Sequence, residues 1–110
     1  MHELALTREI VSIVRDHARG RGVAGVTLRV GRLSCVQVDA LRFALLACVD
    51  GTELADCVWT IERVPGRARC EGCAVELDLD QLAVTCPCER QAPLTILSGE
   101  ELLVSSMEVR

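Results

Sequence analysis

The sequence has no tyrosine, one tryptophan (Trp59) and one phenylalanine (Phe43) among 110 residues. An aromatic core is therefore excluded, and the interior has to be built from Leu, Val, Ile and Ala. Lysine is absent too. All 12 basic residues are arginine, and 16 carboxylates leave a net charge of −4. A chain of that sign lacks the basic face that phosphate neutralisation requires, which argues against a nucleic-acid partner. There is no run of about 18 apolar residues, so no segment has the make-up of a membrane-spanning helix. No Ser/His/Asp set and no carboxylate pair stands out, so the chain reads as non-enzymatic. Repeats and low-complexity stretches are missing as well. The opening Met1-His2-Glu3 lacks the charged and apolar regions of a signal peptide, which points to the cytoplasm.

Cysteine, by contrast, is plentiful: there are seven, and four of them form two close pairs. These are Cys70-Glu71-Gly72-Cys73 and Cys86-Pro87-Cys88, separated by residues 74–85. Four thiolates in close pairs, joined by a short turn-and-strand segment, can close a tetrahedron around Zn(II), which is redox-inert and takes four sulfurs without strain. An odd total, clustered in this way, suits a reducing compartment better than a secreted disulfide framework. A reducible disulfide or unligated thiols are the alternatives that the spacing leaves open. A redox-active Cys-x-x-Cys fits worst, because that motif opens a helix, whereas Cys73 precedes the strand-like residues 74–79.

Along the chain, residues 4–19 carry helical spacing, with Leu6, Ile10, Ile13, Val14 and His17 on one face and Val11 and Ala18 widening it. His17 is expected there as a satisfied structural histidine. Gly20, Gly22 and Gly25 stop the helix and supply a loop. Residues 26–30 alternate as a half-buried strand that Gly31 ends. A second helix is predicted from Gln37 to Val49, closed by Asp50-Gly51, with Cys48 a buried small hydrophobe on its apolar stripe. Cys35 and Cys57 fall in connecting segments and read as thiols outside the metal set. Residues 58–64 form a strand with Trp59 and Ile61 on one face. Pro65-Gly66 opens the metal lobe, Ser98-Gly99 is a turn, and residues 102–109 form the last strand.

This order predicts an α+β fold: two helices on a three-stranded sheet, with an inserted zinc-ribbon domain. The predicted division is 1–66 plus 98–110 for the first, discontinuous domain and 67–97 for the zinc domain. The apolar residues between the cysteine pairs are too few for an unaided core, so the metal has to staple that lobe.

Met1-His2-Glu3 is chemically distinctive at a chain start. The free amine, the His2 backbone nitrogen and the His2 imidazole can face one cation, and the Glu3 backbone nitrogen can complete a four-nitrogen plane. Square-planar nitrogen suits Ni(II) or Cu(II). The alternative is an imidazole packed beside the first helix.

Taken together, Met1-His2-Glu3-Leu4-Ala5-Leu6, Val30-Gly31-Arg32-Leu33, the two cysteine pairs, Ser98-Gly99-Glu100-Glu101-Leu102 and Ser106-Met107-Glu108-Val109 resemble the HypA/HybF family over essentially the whole chain. These are the nickel metallochaperones of [NiFe]-hydrogenase maturation. The resemblance implies a nickel domain whose site uses the Met1 amine and His2, with Glu3 nearby. Asp39 is similar to an acidic residue that some members place near the nickel. It also implies zinc on Cys70, Cys73, Cys86 and Cys88, and the insertion of that lobe before the last strand suggests a structural and regulatory role. The implied partners are a nickel-binding GTPase, the hydrogenase large subunit and, in some organisms, urease maturation proteins. The implied assembly is a monomer or homodimer. One departure is visible: the family has Cys-Pro-x-Cys where this chain has Cys86-Pro87-Cys88, a tighter second knuckle.

The rival from a different class is a zinc-ribbon adaptor for protein partners that handles no nickel. For that adaptor, too, nucleic acid is disfavoured. Residues 67–98 set three arginines against five carboxylates, a net of −2, and a zinc tetrathiolate centre adds another −2.

Overall fold

A computed structural model describes residues 3–80, 85–88 and 92–110. Met1 and His2 lie outside the described residues. The fold is α+β: two helices and a three-stranded sheet, with an inserted lobe built on a second three-stranded sheet. By its internal contacts the chain forms two units. The first comprises Met1–Arg29, Cys35–Glu62 and Leu103–Arg110; the second comprises Val30–Ser34 and Arg63–Leu102.

Helix α1 spans Glu3–Ala18. It buries Leu6, Thr7, Ile10, Val11, Val14 and Ala18, a stripe rotated away from the one that the hydrophobic pattern suggests. Ile13 and His17 face solvent instead. The His17 ring closes a local bond, its Nδ1 standing 2.9 Å from the Ile13 carbonyl oxygen. A carbonyl can only accept, so Nδ1 carries the proton. The histidine is satisfied, as expected, but on the wet side of the helix. The inward space goes to Thr7, which is fully buried and donates from Oγ1 to the Glu3 carbonyl at 2.7 Å. A buried hydroxyl needs such a partner, and the preceding turn supplies it. Arg19 and Gly20, both at positive φ (51° and 81°), end the helix in the left-handed conformation.

Strand β1 runs Val23–Gly31, three residues longer at its start than the pattern suggests, so that Gly25 lies inside it. Helix α2 spans Val38–Val49 and buries Leu41, Leu45 and Val49. Each aliphatic side chain that leaves water here contributes about 1.5–3 kcal/mol. Cys48 is half-buried rather than buried, because α2 turns only that narrow stripe inward. Strand β2 is Val58–Val64, with Trp59 buried and Ile61 half-buried. Arg42 of α2 ties the helix to this strand, donating from Nη1 to the Trp59 carbonyl at 2.9 Å. Helix α1 packs on α2. Arg15 reaches the loop after α2 and donates from Nε to Glu53 Oε1 at 2.7 Å. Both side chains are exposed, so the pair contributes little stability.

Among the described residues the second unit contains three strands, of which the sequence pattern announces only the one within residues 74–79. Strand β3 is Gly66–Cys70, β4 is Glu76–Leu79 and β5 is Leu94–Ser98. They form an antiparallel sheet in the order β4-β3-β5. The remaining strand, β6, is Leu102–Val109, and the sheet of the first helices has the order β2-β1-β6. Arg67 and Arg69 on β3 pair in register with Asp78 and Glu76 on β4. Arg67 meets Asp78 at 2.5 Å and Glu76 at 3.9 Å, while Arg69 meets Glu71 at 3.6 Å. The opposite face buries Leu33, Ala68 and Leu79, with Leu94 and Ile96 half-buried beside them. That core is small, and on the charged face both arginines are paired with carboxylates.

Candidate metal centre

Cys70 is the last residue of β3, and a tight turn follows it. The Ala74 amide donates to the Cys70 carbonyl at 2.8 Å and the Cys70 amide to the Val75 carbonyl at 2.9 Å. Ala74 takes φ 63° to make that turn, a conformation that costs a non-glycine residue about 1–2 kcal/mol. The turn carries Cys73 back beside Cys70. From the other side, the Glu71 amide donates to the Pro93 carbonyl at 3.0 Å, and Thr95 Oγ1 donates to the Glu71 carboxylate. These bonds hold the first knuckle against the start of β5.

The second knuckle, Cys86-Pro87-Cys88, delivers both of its sulfurs to the same point despite its shortened spacing. Cys70 Sγ lies 3.7 Å from Cys88 Sγ, and Cys73 Sγ lies 3.6 Å from Cys86 Sγ. All four ligand atoms fall within 4.8 Å of one another. A tetrahedron with metal–sulfur bonds of about 2.3 Å has sulfur–sulfur edges of about 3.8 Å. A disulfide would hold its sulfurs at about 2.05 Å. The separations therefore fit a four-sulfur metal cage and leave no disulfide between these pairs.

The proton affinities of the cluster follow from its geometry. The Cys73 amide, and after it the Gly72 amide, point at Cys70 Sγ and stabilise its thiolate, so this fully buried thiol is lowered from 9.0 to about 7. For Cys86, the Cys88 amide acts in the same sense. Burial and the neighbouring sulfurs of Cys88, Cys73 and Cys70 together outweigh it, and the thiol is pushed up to about 12. Four thiolates cannot crowd together uncompensated, and a divalent cation at the centre reverses the balance by replacing the protons. Four protein sulfurs also leave no open position for a reacting water. Among the described residues this is the one group of three or more His, Cys, Asp or Glu side chains whose ligand atoms converge.

The residues implicated at the chain start are placed as follows. Glu3 is the first residue of α1 and half-buried; Met1 and His2 lie outside the described residues. Asp39 is exposed in the first turn of α2. Of the remaining thiols, Cys35 is exposed and Cys57 buried; burial pushes the Cys57 thiol up. Sequence inspection misses two contributors: Thr7, which bonds to the turn carrying Glu3, and Ala74, whose left-handed backbone shapes the first knuckle. The signal for Thr7 was its position four residues after Glu3. Nothing in the sequence marks Ala74, since glycine is the usual residue for its conformation.

A family described as "Hydrogenase/urease nickel incorporation, metallochaperone, hypA" matches residues 1–109. A "Hydrogenase maturation factor HypA" of Nostoc punctiforme is 38% identical over 109 residues, covering 99% of this chain and 96% of that protein. Its counterpart in Geobacter metallireducens is 40% identical, covering 99% of each. Among solved structures, the Ni metallochaperone HypA of Helicobacter pylori shares the fold, with a TM-score of 0.70 at 17% identity, over 99% of this chain and 97% of that one.

Proposed function

This chain belongs to the HypA family of hydrogenase/urease nickel-incorporation metallochaperones, and on that premise we propose that it carries Ni(II) for the maturation of [NiFe]-hydrogenase. Family membership makes it a maturation metallochaperone and not an enzyme. The observation that carries the proposal is the joint presence, in a chain matched from residue 1, of Met1-His2-Glu3 and a four-sulfur cluster.

Nickel is the cargo. Its ligands in this proposal are the Met1 amine, His2 and Glu3, with Asp39 a further candidate. Such a site accommodates Ni(II) through nitrogen donors, as it would Cu(II), and a partner's ligands can replace its own one at a time. Zinc is the resident metal, held by Cys70, Cys73, Cys86 and Cys88. When bound, it cross-links the two knuckles, and it has a structural and a regulatory role. The division into a nickel domain of 1–66 plus 98–110 and a zinc domain of 67–97 is part of the same proposal. So are delivery with a nickel-binding GTPase to the hydrogenase large subunit, service to urease maturation proteins, and a cytoplasmic location. No helix among the described residues is long and apolar enough to cross a membrane.

The test is native mass spectrometry of untagged protein during nickel titration, beside His2→Ala and beside a version extended before Met1. Zinc bound as isolated, plus one nickel lost in both variants, supports a start-site carrier. Zinc alone, with weak nickel binding unchanged in either variant, leaves a zinc-ribbon adaptor and overturns the proposal.

A further inference from the structure

The only phenylalanine of the chain is 76% exposed, and Leu46, one turn further along α2, is 53% exposed. Asp39, Phe43, Leu46 and Asp50 stand at i, i+4, i+7 and i+11, which is a single stripe along a helix. Ala40 and Ala47 border it and are exposed as well. On the opposite face Leu41, Leu45 and Val49 are buried. Helix α2 is thus apolar on both sides, the pattern of a helix covered all round, although its outer side faces solvent in the isolated chain.

Charge indicates what covers it. Asp39 and Asp50 close the apolar stripe at both ends, about 16 Å apart. The C-terminal end of a helix is already negative, and α2 has no basic residue in its last turn. The loop beyond adds Glu53 and Asp56, and Arg15 is engaged with Glu53. A second copy is a poor occupant. A two-fold axis between Phe43 and Leu46 sets Asp39 against Asp50 of the other copy, and parallel pairing sets each aspartate against itself. Either arrangement brings like charges together.

We propose that the outer face of α2 is a docking surface for an amphipathic helix of a partner protein, with apolar residues seated on Phe43 and Leu46 and basic residues at both ends facing Asp39 and Asp50. This surface shares Asp39 with the nickel proposal, but Phe43, Leu46 and Asp50 play no part in that one, and the surface stands if it fails.

The probe is a fluorescein-labelled synthetic helix of about 16 residues with a leucine stripe and arginines 11 positions apart. Its twins replace arginine by glutamate, or leucine by serine. Anisotropy is read against the zinc-loaded full chain. The arginine–leucine peptide is expected to bind, to weaken from about 50 to about 300 mM salt, and to lose at least about tenfold in affinity with Phe43→Ser/Leu46→Ser. Both twins should bind at least about tenfold more weakly. Far-UV circular dichroism and Trp59 emission check that the double variant is folded. Asp50→Arg, which leaves the apolar residues in place, should weaken the arginine peptide and strengthen the glutamate twin. His2→Ala should bind the peptide as the unaltered chain does. The proposal is overturned by absent binding, by binding indifferent to both variants, or by equal binding of the glutamate twin. It is also overturned by a sedimentation dimer that Phe43→Ser/Leu46→Ser converts to monomer, since a second copy would then be the occupant.

Discussion

Gly31 and Gly99 meet backbone against backbone: a Cβ placed on Gly31 would fall inside the van der Waals envelope of the Gly99 carbonyl. The contact is bracketed by two short bonds, from the Gly31 amide to the Glu101 carbonyl and from the Leu33 amide to the Gly99 carbonyl, both 2.7 Å. Gly99 continues the close approach on its other side, where its own Cβ would lie 2.6 Å from Gly66 Cα. Neither neighbour is a flexible side chain that could swing aside. Gly31→Ala should therefore lower stability by about 3 kcal/mol or more, because backbone has to move. Gly51→Ala is the control: it has a positive φ of 74° but no heavy atom within 4 Å of the added carbon, so only the conformational penalty of about 1–2 kcal/mol applies. Urea unfolding followed by circular dichroism separates the two.

If the four-sulfur cluster holds zinc as proposed, removing it leaves, among the described residues, a core cluster of Leu33, Ala68 and Leu79, with Leu94 and Ile96 half-buried, to hold three short strands. A core of that size cannot offset the entropy of ordering the lobe. Chelation should therefore raise amide exchange throughout β3, β4 and β5 by about a hundredfold or more, as read by mass spectrometry. Cys88→Ser should release zinc to a colorimetric chelator at least about tenfold more readily than the unaltered chain. Retention of zinc by Cys88→Ser would show that the second knuckle supplies only one ligand.

Ala74 offers a test in the opposite direction. It is exposed and sits at φ 63°, so glycine fits its conformation and removes no packing. Ala74→Gly should leave zinc affinity unchanged or raise it, with a stability gain of up to about 1 kcal/mol. The gain is limited because glycine also loses more entropy on ordering.

Helices and outer strands were largely legible in the sequence because local period and breakers coincide there. Strands β2 and β6 begin and end where alternation and turn residues place them, and α2 is offset by one residue. Strand β3 was not legible. Gly66-Arg67-Ala68-Arg69-Cys70 has no β-branched residue, and its extended form comes from pairing on both sides and from the Arg67–Asp78 contact. In α1 the inward stripe includes Thr7 and leaves Ile13 exposed, and the bond from the threonine hydroxyl to the Glu3 carbonyl is what lets a polar side chain be buried there. For the metal centre, the four cysteines were legible as a set. That the shortened second pair still reaches the cluster depends on the three-dimensional path through Pro87 and could not be read from spacing.

Cys57 gives the first unit a loss of stability on the alkaline side. Burial raises its thiol above the ordinary 9.0, with Arg110 opposing weakly. Because the folded value exceeds the unfolded one, its contribution to stability is complete below about pH 9 and is lost as pH rises through the folded value. The urea midpoint should therefore fall more steeply above pH 9 in the unaltered chain than in Cys57→Ala, with the two slopes equal near pH 7. In the native state at pH 8, Cys57 should also react with a thiol reagent more slowly than the half-buried Cys48.

Trp59 is 5% exposed, and its Nε1 has no hydrogen-bond partner among the described residues. Two effects therefore oppose each other in Trp59→Phe. The substitution removes a buried, unpaired donor whose desolvation costs about 1–3 kcal/mol. It also shrinks the ring, and the lost contacts and residual space cost a similar amount. The sum should lie within about 1 kcal/mol of zero. Trp59→Ala removes the same donor but nearly the whole side chain, so the cavity dominates and about 3–5 kcal/mol is expected. If Trp59→Phe instead costs as much as Trp59→Ala, the indole N–H is hydrogen-bonded in the folded protein. With no tyrosine in the chain, the emission of Trp59 reports this directly: a buried, unpartnered indole should emit further to the blue than one bonded to a polar group.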